Sequence, residues 1–511
     1  MNGADGLGAG SPRRIIILGA AGRDYHYFNT AQRGDGDDND ADGAAATTGR
    51  RDLVVAFTHA QIPHIAASHY PPSLCVPLGR DTRQNRYPDG VPIYPEAALE
   101  QAIAATKAQA CVFAYSDVSF EQLGALASRC RRAGCDFILP SAGAGGIHDP
   151  STLKSKKPVV AVTAVRTGCG KSQVCALVCE SAKKHGLKVA LCRHPMPYGD
   201  LEKMRVQRFE TLEDLDANDA TVEEREEYEQ HLRQGRLVFS GVDYNQILRA
   251  AEKEADVVLF DGGNNDTPFF RADLDICVCD PFRPRAHETH FPGGINFSRA
   301  RHLVVNKANT APKEGVAQVL AAAKKLNPGA KTYVTASKVA LLPLSSEEQE
   351  EGPSDPSSLI RGKRVLCVDD GPTITHGGMA EGAAVVGAKE NGALEIVDPR
   401  PFFRGALKTA LDSYPHIGRT VPALGYGQEQ VKDLGSTIKA AVEGAGAEAV
   451  LVATPTDLSR VLGALSAASW SAGVPVVRAM YAIEDVEGGG DGGGLVAMLD
   501  EWFAARRREL S

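Results

Sequence analysis

The sequence predicts an α/β protein: an N-terminal Rossmann-like domain, a P-loop NTPase domain with a largely parallel sheet, and an α/β C-terminal section. Three observations predict it. Short apolar runs alternate with helical stretches along the chain, the pattern of a parallel sheet covered on both faces. The first run, "RIIILGAAG", ends in a glycine turn. A later run, "VVAVTAVRTGCGKS", ends in a phosphate-loop signature.

The elements follow in order. "RRIIILGAAGRD" (13–24) reads as a strand and turn, and "RDLVVAFTHA" (51–60) and "AQACVFAYSD" (108–117) as further strands. Between the first two, residues 33–51 are acidic and Gly/Ala-rich without apolar period, which predicts a disordered insertion in a domain spanning 1–150. "SAGAGGIHDPSTLKSKKP" (141–158) reads as a linker. "PVVAVTAV", "LKVALCR", "ADVVLFDGG", "LDICVCD" and "HLVVNKAN" are the strands of a second domain, 157–343. "LSSEEQEEGPSDPSS" (344–358) is a second linker. A C-terminal section, 359–511, carries four more strand runs and is a candidate continuation of the P-loop domain. A Gly-rich break (488–494) precedes an amphipathic terminal helix.

Composition excludes several classes. The net charge of −8 argues against a nucleic-acid partner. No apolar run reaches the roughly 18 to 20 residues of a membrane span. The N-terminus lacks an apolar signal core. The 11 cysteines are scattered without a CxxC, as in a reduced cytoplasmic protein.

The loop carries the chemistry. In the register G-x-x-x-x-G-K-[ST], Val165 stands where the first glycine belongs, followed by Arg166, Thr167, Gly168, Cys169, Gly170, Lys171 and Ser172. Thr167, Gly168, Cys169, Gly170 and Gln173 are expected around the phosphates, with backbone N–H groups and a helix N-terminus facing them. Lys171 is expected at the β and γ phosphates and Ser172 on Mg²⁺. Asp261, ending the apolar run of "DVVLFDGG", is the matching acid for the metal. Arg166 holds a position where one branch of these NTPases carries a lysine that reaches across a dimer. It is expected to stabilise phosphate charge, in cis or across a dimer. Asn306 and Lys307 in "VVNKANT" resemble a guanine-reading motif, but its fourth position is Asn309, which favours ATP over GTP. "TVEEREEYEQHL" begins with a capping box, Thr221 and Glu224, and its acidic run reads as a solvated helix face.

From about Arg14 to Val477 the chain resembles the cyclic 2,3-diphosphoglycerate synthetase family. The matching words include "GAAGRDYHYFN", "VVAFTHAQIPHIA", "VTAVRTGCGKSQ", "RHPMPYGDL", "DVVLFDGGNND", "VVNKANT" and "DDGPTITHGGM". The resemblance implies an N-terminal substrate domain, a P-loop domain, a homodimer, and ATP-driven closure of 2,3-diphosphoglycerate into an intramolecular phosphoanhydride, releasing ADP and phosphate. For so anionic a substrate, Gly19, Gly22, Arg23, His26, Arg193, His194 and Arg283 are the expected binding residues, with Lys171, Arg166 and Asp261 catalytic. Two alternatives stand beside it: an ATP-dependent ligase for another small anionic acid, and a regulatory or chaperone-type NTPase using ATP or GTP.

Overall fold

The computed structural model describes residues 12–33, 52–59, 68–77, 83, 85–140, 152–196, 199–263, 266–343, 355–375, 377–424, 428–454, 458, 462 and 470–510. The expected insertion, save residue 33, lies outside the described residues, as do most of both linkers.

The N-terminal sheet contains β1 (Arg14–Leu18), β2 (Leu53–His59), β3 (His69–Tyr70), β4 (Val91–Pro95) and β5 (Ala110–Phe113). After β6 (Val118–Ser119), β7 (Asp136–Ile138) completes it, in the order β3-β4-β2-β1-β5-β7, parallel except for β3. Strand alternation divides β1 between two cores. Ile15 and Ile17 pack with Tyr25, Phe28 and Phe57, while Ile16 and Leu18 pack with Leu99, Ile103 and Leu126 from the covering helices. The chain leaves β1 between two neighbours reached from opposite directions, β2 and β5. That is a topological switch point, where such sheets open a crevice at their strand ends.

The second sheet is much larger. Its first part contains β8 (Val159–Ala164), β9 (Val189–Cys192), β10 (Gln207–Phe209), β11 (Leu237–Ser240), β12 (Val257–Asp261) and β13 (Leu274–Cys279). After β14 (His290–Phe291) come β15 (His302–Val305), β16 (Lys331–Pro343), β17 (Arg364–Asp370), β18 (Glu395–Ile396), β19 (Val421–Ala423), β20 (Ala449–Ala453) and β21 (Val476–Asp485). The order is β10-β11-β9-β12-β8-β13-β15-β16-β21-β20-β17-β18, with β19 beside β17. The β16–β21 pair is antiparallel and runs from Thr335 opposite Asp485 to Pro343 opposite Val477. This long ladder joins the C-terminal section to the P-loop half in one sheet.

Val160, Val162 and Ala164 of β8 face the helix Lys171–Lys184, where Cys175 and Cys179 are core residues. Val159 and Ala161 face Tyr244, Ile247 and Leu248 on the other side. The terminal helix Leu495–Leu510 docks on Lys171–Lys184 through Leu495, Leu499 and Phe503, and the Ser181 hydroxyl donates to Asp500 at 2.7 Å. The Gly-rich stretch before it is an ordered turn: Val334 N–H donates to the Gly489 carbonyl at 2.7 Å. The two sheets are tied by an antiparallel β6–β14 pair. No helix among the described residues is long and apolar enough to cross a membrane.

Candidate functional site

The phosphate loop lies between β8 and the helix Lys171–Lys184. Val165 directly follows the strand, donating its N–H to the Val278 carbonyl at 3.0 Å. That buried position does not have a positive φ and so accepts a valine, which explains the absent first glycine. Gly168 and Gly170 turn with φ of +81° and +101°. A Cβ on Gly170 would lie 2.2 Å from the Asn306 amide nitrogen, so both backbone and space require glycine there.

Behind the loop stands the "NKAN" segment. The Asn306 amide donates to the Cys169 carbonyl at 3.2 Å and accepts from the Thr335 hydroxyl at 3.0 Å. Lys307 donates to the Gly168 carbonyl and pairs with Asp280 at 3.1 Å. Asn309 uses both ends of its amide on the Ser337 backbone, at 2.8 and 3.2 Å. Asn306 and Lys307, expected on the nucleotide, here fix the shape of the loop that would hold it. Cys169 is likewise buried against this support, while Thr167, Gly168, Gly170, Lys171, Ser172 and Gln173 face the cavity.

Asp261, at the end of β12, is fully buried between two cations. Lys171 pairs with one of its oxygens and Arg193 with the other. Burial alone would raise its pKa, but the Arg193 and Lys171 charges hold it well below the usual carboxylate range. Arg193 also pairs with Glu227 at 2.8 Å. Burial opposes its charge, and Asp261 and Glu227 more than restore it. The placement of Arg193 therefore corrects its expected role: its guanidinium is committed to Asp261 and Glu227 rather than free for substrate. The acidic helix Val222–Leu232 is corrected with it. Glu224 and Glu229 are buried and Glu227 is the partner of Arg193, so this face is not simply solvated. Thr221 and Glu224 form the capping box.

Arg283 donates to the Thr167 carbonyl at 2.7 Å and the Gly377 carbonyl at 2.6 Å, and pairs with Asp280 at 2.9 Å. This corrects its assignment to substrate. It is a strut between the phosphate loop and the C-terminal section. Arg166 lines the cavity beside Gly378, and burial and Arg283 both lower its pKa. Two neighbouring guanidiniums at a phosphate loop form a place that an anion relieves. Thr167 is held from the N-terminal side, its hydroxyl donating to Asp117 at 2.5 Å.

The turn after β1 forms the N-terminal side of the cavity. Gly19, Gly22 and Arg23 line the cavity, and Arg23 reaches across to donate to the Thr267 hydroxyl. His26 is a correction: it is buried in an aromatic stack, 4.4 Å from the Phe269 ring, and turns away from the cavity. His194 does face it, between Gly22 and Gly263. A Cβ on Gly263 would come within 2.1 Å of the His194 ring. Asp24 and Asp266 stand around this imidazole, with Asp266 at 3.6 Å from its Nδ1. Neither acid was expected from the sequence. Asp24 directly follows Arg23 in "GRD" and Asp266 ends "GGNND", but a search for cations to meet an anionic substrate passes over them.

Gly19, Gly22, Arg23, Asp24, Arg166, Lys171, His194 and Asp266 line one cavity of about 1450 Å³ between the N-terminal sheet, the phosphate loop and the C-terminal section. Cationic and acidic side chains line it in nearly equal number. A parallel sheet, a glycine-shaped loop entering a helix, and a buried acid on the adjacent strand define a P-loop protein of the α/β class. Among known proteins, arginine synthetase ArcE of Thermococcus kodakarensis is 45% identical over 475 residues, covering 93% of this chain and 94% of that one. The chain belongs to the family of that synthetase. No family model matches it. Of solved structures, LpxK of Aquifex aeolicus in complex with ATP shares 13% identity over 70% of this chain and 90% of its own, with a TM-score of 0.38. Cobyrinic acid a,c-diamide synthase of Mycobacterium smegmatis, with an ATP analogue and magnesium, shares 14% over 35% and 72%, with a TM-score of 0.17. Both likenesses are too remote to bear on the site.

Proposed function

We propose that the chain is an ATP-dependent synthetase with arginine as its product. The relationship to the Thermococcus synthetase carries this reading. Its chemistry follows from the product. Arginine ends in a carbon bonded to three nitrogens. Making it from an amino acid that ends in a urea requires an oxygen to leave and a nitrogen to replace it. A P-loop directs the γ-phosphoryl group of ATP at such an oxygen, converting it into a phosphate leaving group. The expected products are arginine, ADP and phosphate.

The residues support each part. Lys171 and Arg166 line the cavity at the loop, where they would meet the phosphates, and the left-handed backbone of Gly168 and Gly170 would cradle them. Ser172, on the first turn of its helix and lining the cavity, and ionised Asp261 fit a magnesium–nucleotide. They would hold Mg²⁺, which supplies charge neutralisation at the transferring phosphate. Lys171 exchanges its Asp261 partner for phosphate, while Arg193 keeps that carboxylate paired.

Cyclic 2,3-diphosphoglycerate formation uses the same first step and differs in the acceptor. That substrate carries about five negative charges. The cavity has little cationic surplus, and Arg193 and Arg283 are committed elsewhere. A zwitterionic amino acid suits this balance better. A homodimer in the cytoplasm belongs to the same proposal; sedimentation of the full chain tests the dimer.

The deciding experiment incubates the full chain and Mg·ATP with citrulline plus ammonium, with 2,3-diphosphoglycerate, or with neither. The account expects ADP release tied to arginine in the first mixture. A phosphoanhydride in the second would favour the cyclic product. Hydrolysis indifferent to both would favour a switch NTPase.

A further inference from the structure

We propose that Asp24, His194 and Asp266 form the subsite that receives the incoming nitrogen nucleophile as a cation and takes its proton. The inference rests on the arginine-forming reading above, and it assigns residues that reading leaves without a role.

The three side chains come from three separate elements: the short helix Arg23–Tyr27 after β1, the segment just beyond β9 and the loop after β12. All are buried and all line the cavity. Asp24 accepts from the Ala21 and Tyr25 N–H groups through one oxygen, at 2.7 and 2.8 Å. Among the described residues, Asp266 Oδ1 and His194 Nδ1 have no hydrogen-bond partner. A buried, unsatisfied carboxylate oxygen and imidazole nitrogen in one place require an explanation. The imidazole packs directly on the backbone of Gly22 and Gly263, where a Cβ at either position would crowd it, so these two glycines fix its place.

The charge has the same meaning. Two carboxylates close to the terminal phosphate of a bound nucleotide are repelled by it unless a cation or a mobile proton lies between. Gly263 is two residues from Asp261, so this cluster lies at the phosphate end of the cavity. Ammonium, or the ammonium group of a larger donor, fills such a place by donating to Asp266 Oδ1 and the carboxylate of Asp24. Burial raises Asp24 to about 7, matched to proton exchange near neutrality.

The step balances. The ammonium N–H bond breaks and its proton passes to the Asp266–His194 pair or to Asp24. The freed lone pair forms the new C–N bond at the activated carbon. The C–O bond breaks, and phosphate leaves with its electron pair. All eleven cysteines are buried and none is among the cavity-lining residues, so no thiol is placed to release ammonia from an amide donor. Ammonium itself is therefore the first probe, with glutamine as the second arm.

The test compares wild type, Asp266→Asn, Asp24→Asn and His194→Gln in the full chain, with saturating Mg·ATP and citrulline. Ammonium is varied, then replaced by hydroxylamine, which is uncharged at neutral pH and needs no comparable deprotonation. We expect Asp266→Asn and Asp24→Asn to raise the KM for ammonium at least tenfold and to lower kcat. Their KM for ATP should stay within twofold, and hydroxylamine should restore much of the rate. Asp24→Asn keeps the acceptor for both backbone N–H groups, so one variant is expected to stay folded if another does not. Variants that use ammonium normally, or lose ammonium and hydroxylamine turnover equally, overturn the assignment while leaving the arginine reading standing. A wild type that forms no arginine from ammonium or from glutamine overturns both.

Discussion

The Lys171 ammonium is paired with the Asp261 carboxylate, and the other oxygen of that carboxylate is held by Arg193. The phosphate-loop lysine, which lines the cavity, is thus held against the buried acid at the end of β12. A nucleotide competes for Lys171 without leaving Asp261 unpaired.

Lys171→Ala should therefore lower turnover by about 10²–10³-fold or more, the scale for loss of a charge-stabilising donor. The fold should survive, because Arg193 still neutralises Asp261. Steady-state kinetics beside a thermal melt checks both. Arg166→Ala should lower kcat more than it raises the KM for ATP, since its guanidinium lines the cavity at the loop.

Arg193 behaves differently. Replacing it with methionine leaves the buried Asp261 with Lys171 alone and removes the ion-pair partner of Glu227, so unfolding should become easier by about 3–5 kcal/mol. Urea denaturation measures this. A variant as stable as wild type would contradict the structural role given to this arginine.

Much of this was legible in the sequence, and the limits are physical. Glycine spacing and an apolar strand ending in an acid are local signals, so the loop and Asp261 could be read directly. The role of Arg193 depends on Glu227, from a helix whose acidic run looks solvated until tertiary packing buries Glu224 and Glu229. "NKAN" was recognisable, but whether it faces a base or the loop is decided by the parallel pairing of β15 with β16, which brings Thr335 to Asn306. The expected His26 was lost to an aromatic stack with Phe269, a contact between distant segments. The switch from the P-loop half to the C-terminal section through β16 and β21 is equally non-local.

Gly170→Ala should abolish nucleotide binding while leaving most of the fold intact. The added Cβ meets the Asn306 amide and the backbone is left-handed there. Asn306→Ala should be milder, destabilising by about 1–3 kcal/mol through the stranded Cys169 carbonyl and Thr335 hydroxyl. Calorimetric titration with Mg·ATP and chemical denaturation separate the two.

Asp24 gives a pH dependence of defined sign. Its folded pKa of about 7 lies above its unfolded value of 3.8, chiefly through burial. The unfolded chain therefore releases this proton first, and its contribution to stability, full below pH 3.8, is lost as pH rises towards 7. Asp24→Asn removes the loss, so its stability relative to wild type should grow across that window by about 4 kcal/mol and then level off. Urea midpoints taken between pH 4.5 and 8 test this. A difference that shrinks with rising pH would reverse the assignment.

The central claim is that the nucleotide phosphorylates an oxygen of the substrate, which a nitrogen then displaces. It is tested most directly by giving the full chain Mg·ATP, ammonium and citrulline carrying ¹⁸O in its ureido group, and reading the product by phosphorus NMR. The account predicts that ¹⁸O appears in the inorganic phosphate, one atom for each arginine formed. Arginine formed with unlabelled phosphate, or with the label in AMP, would contradict it.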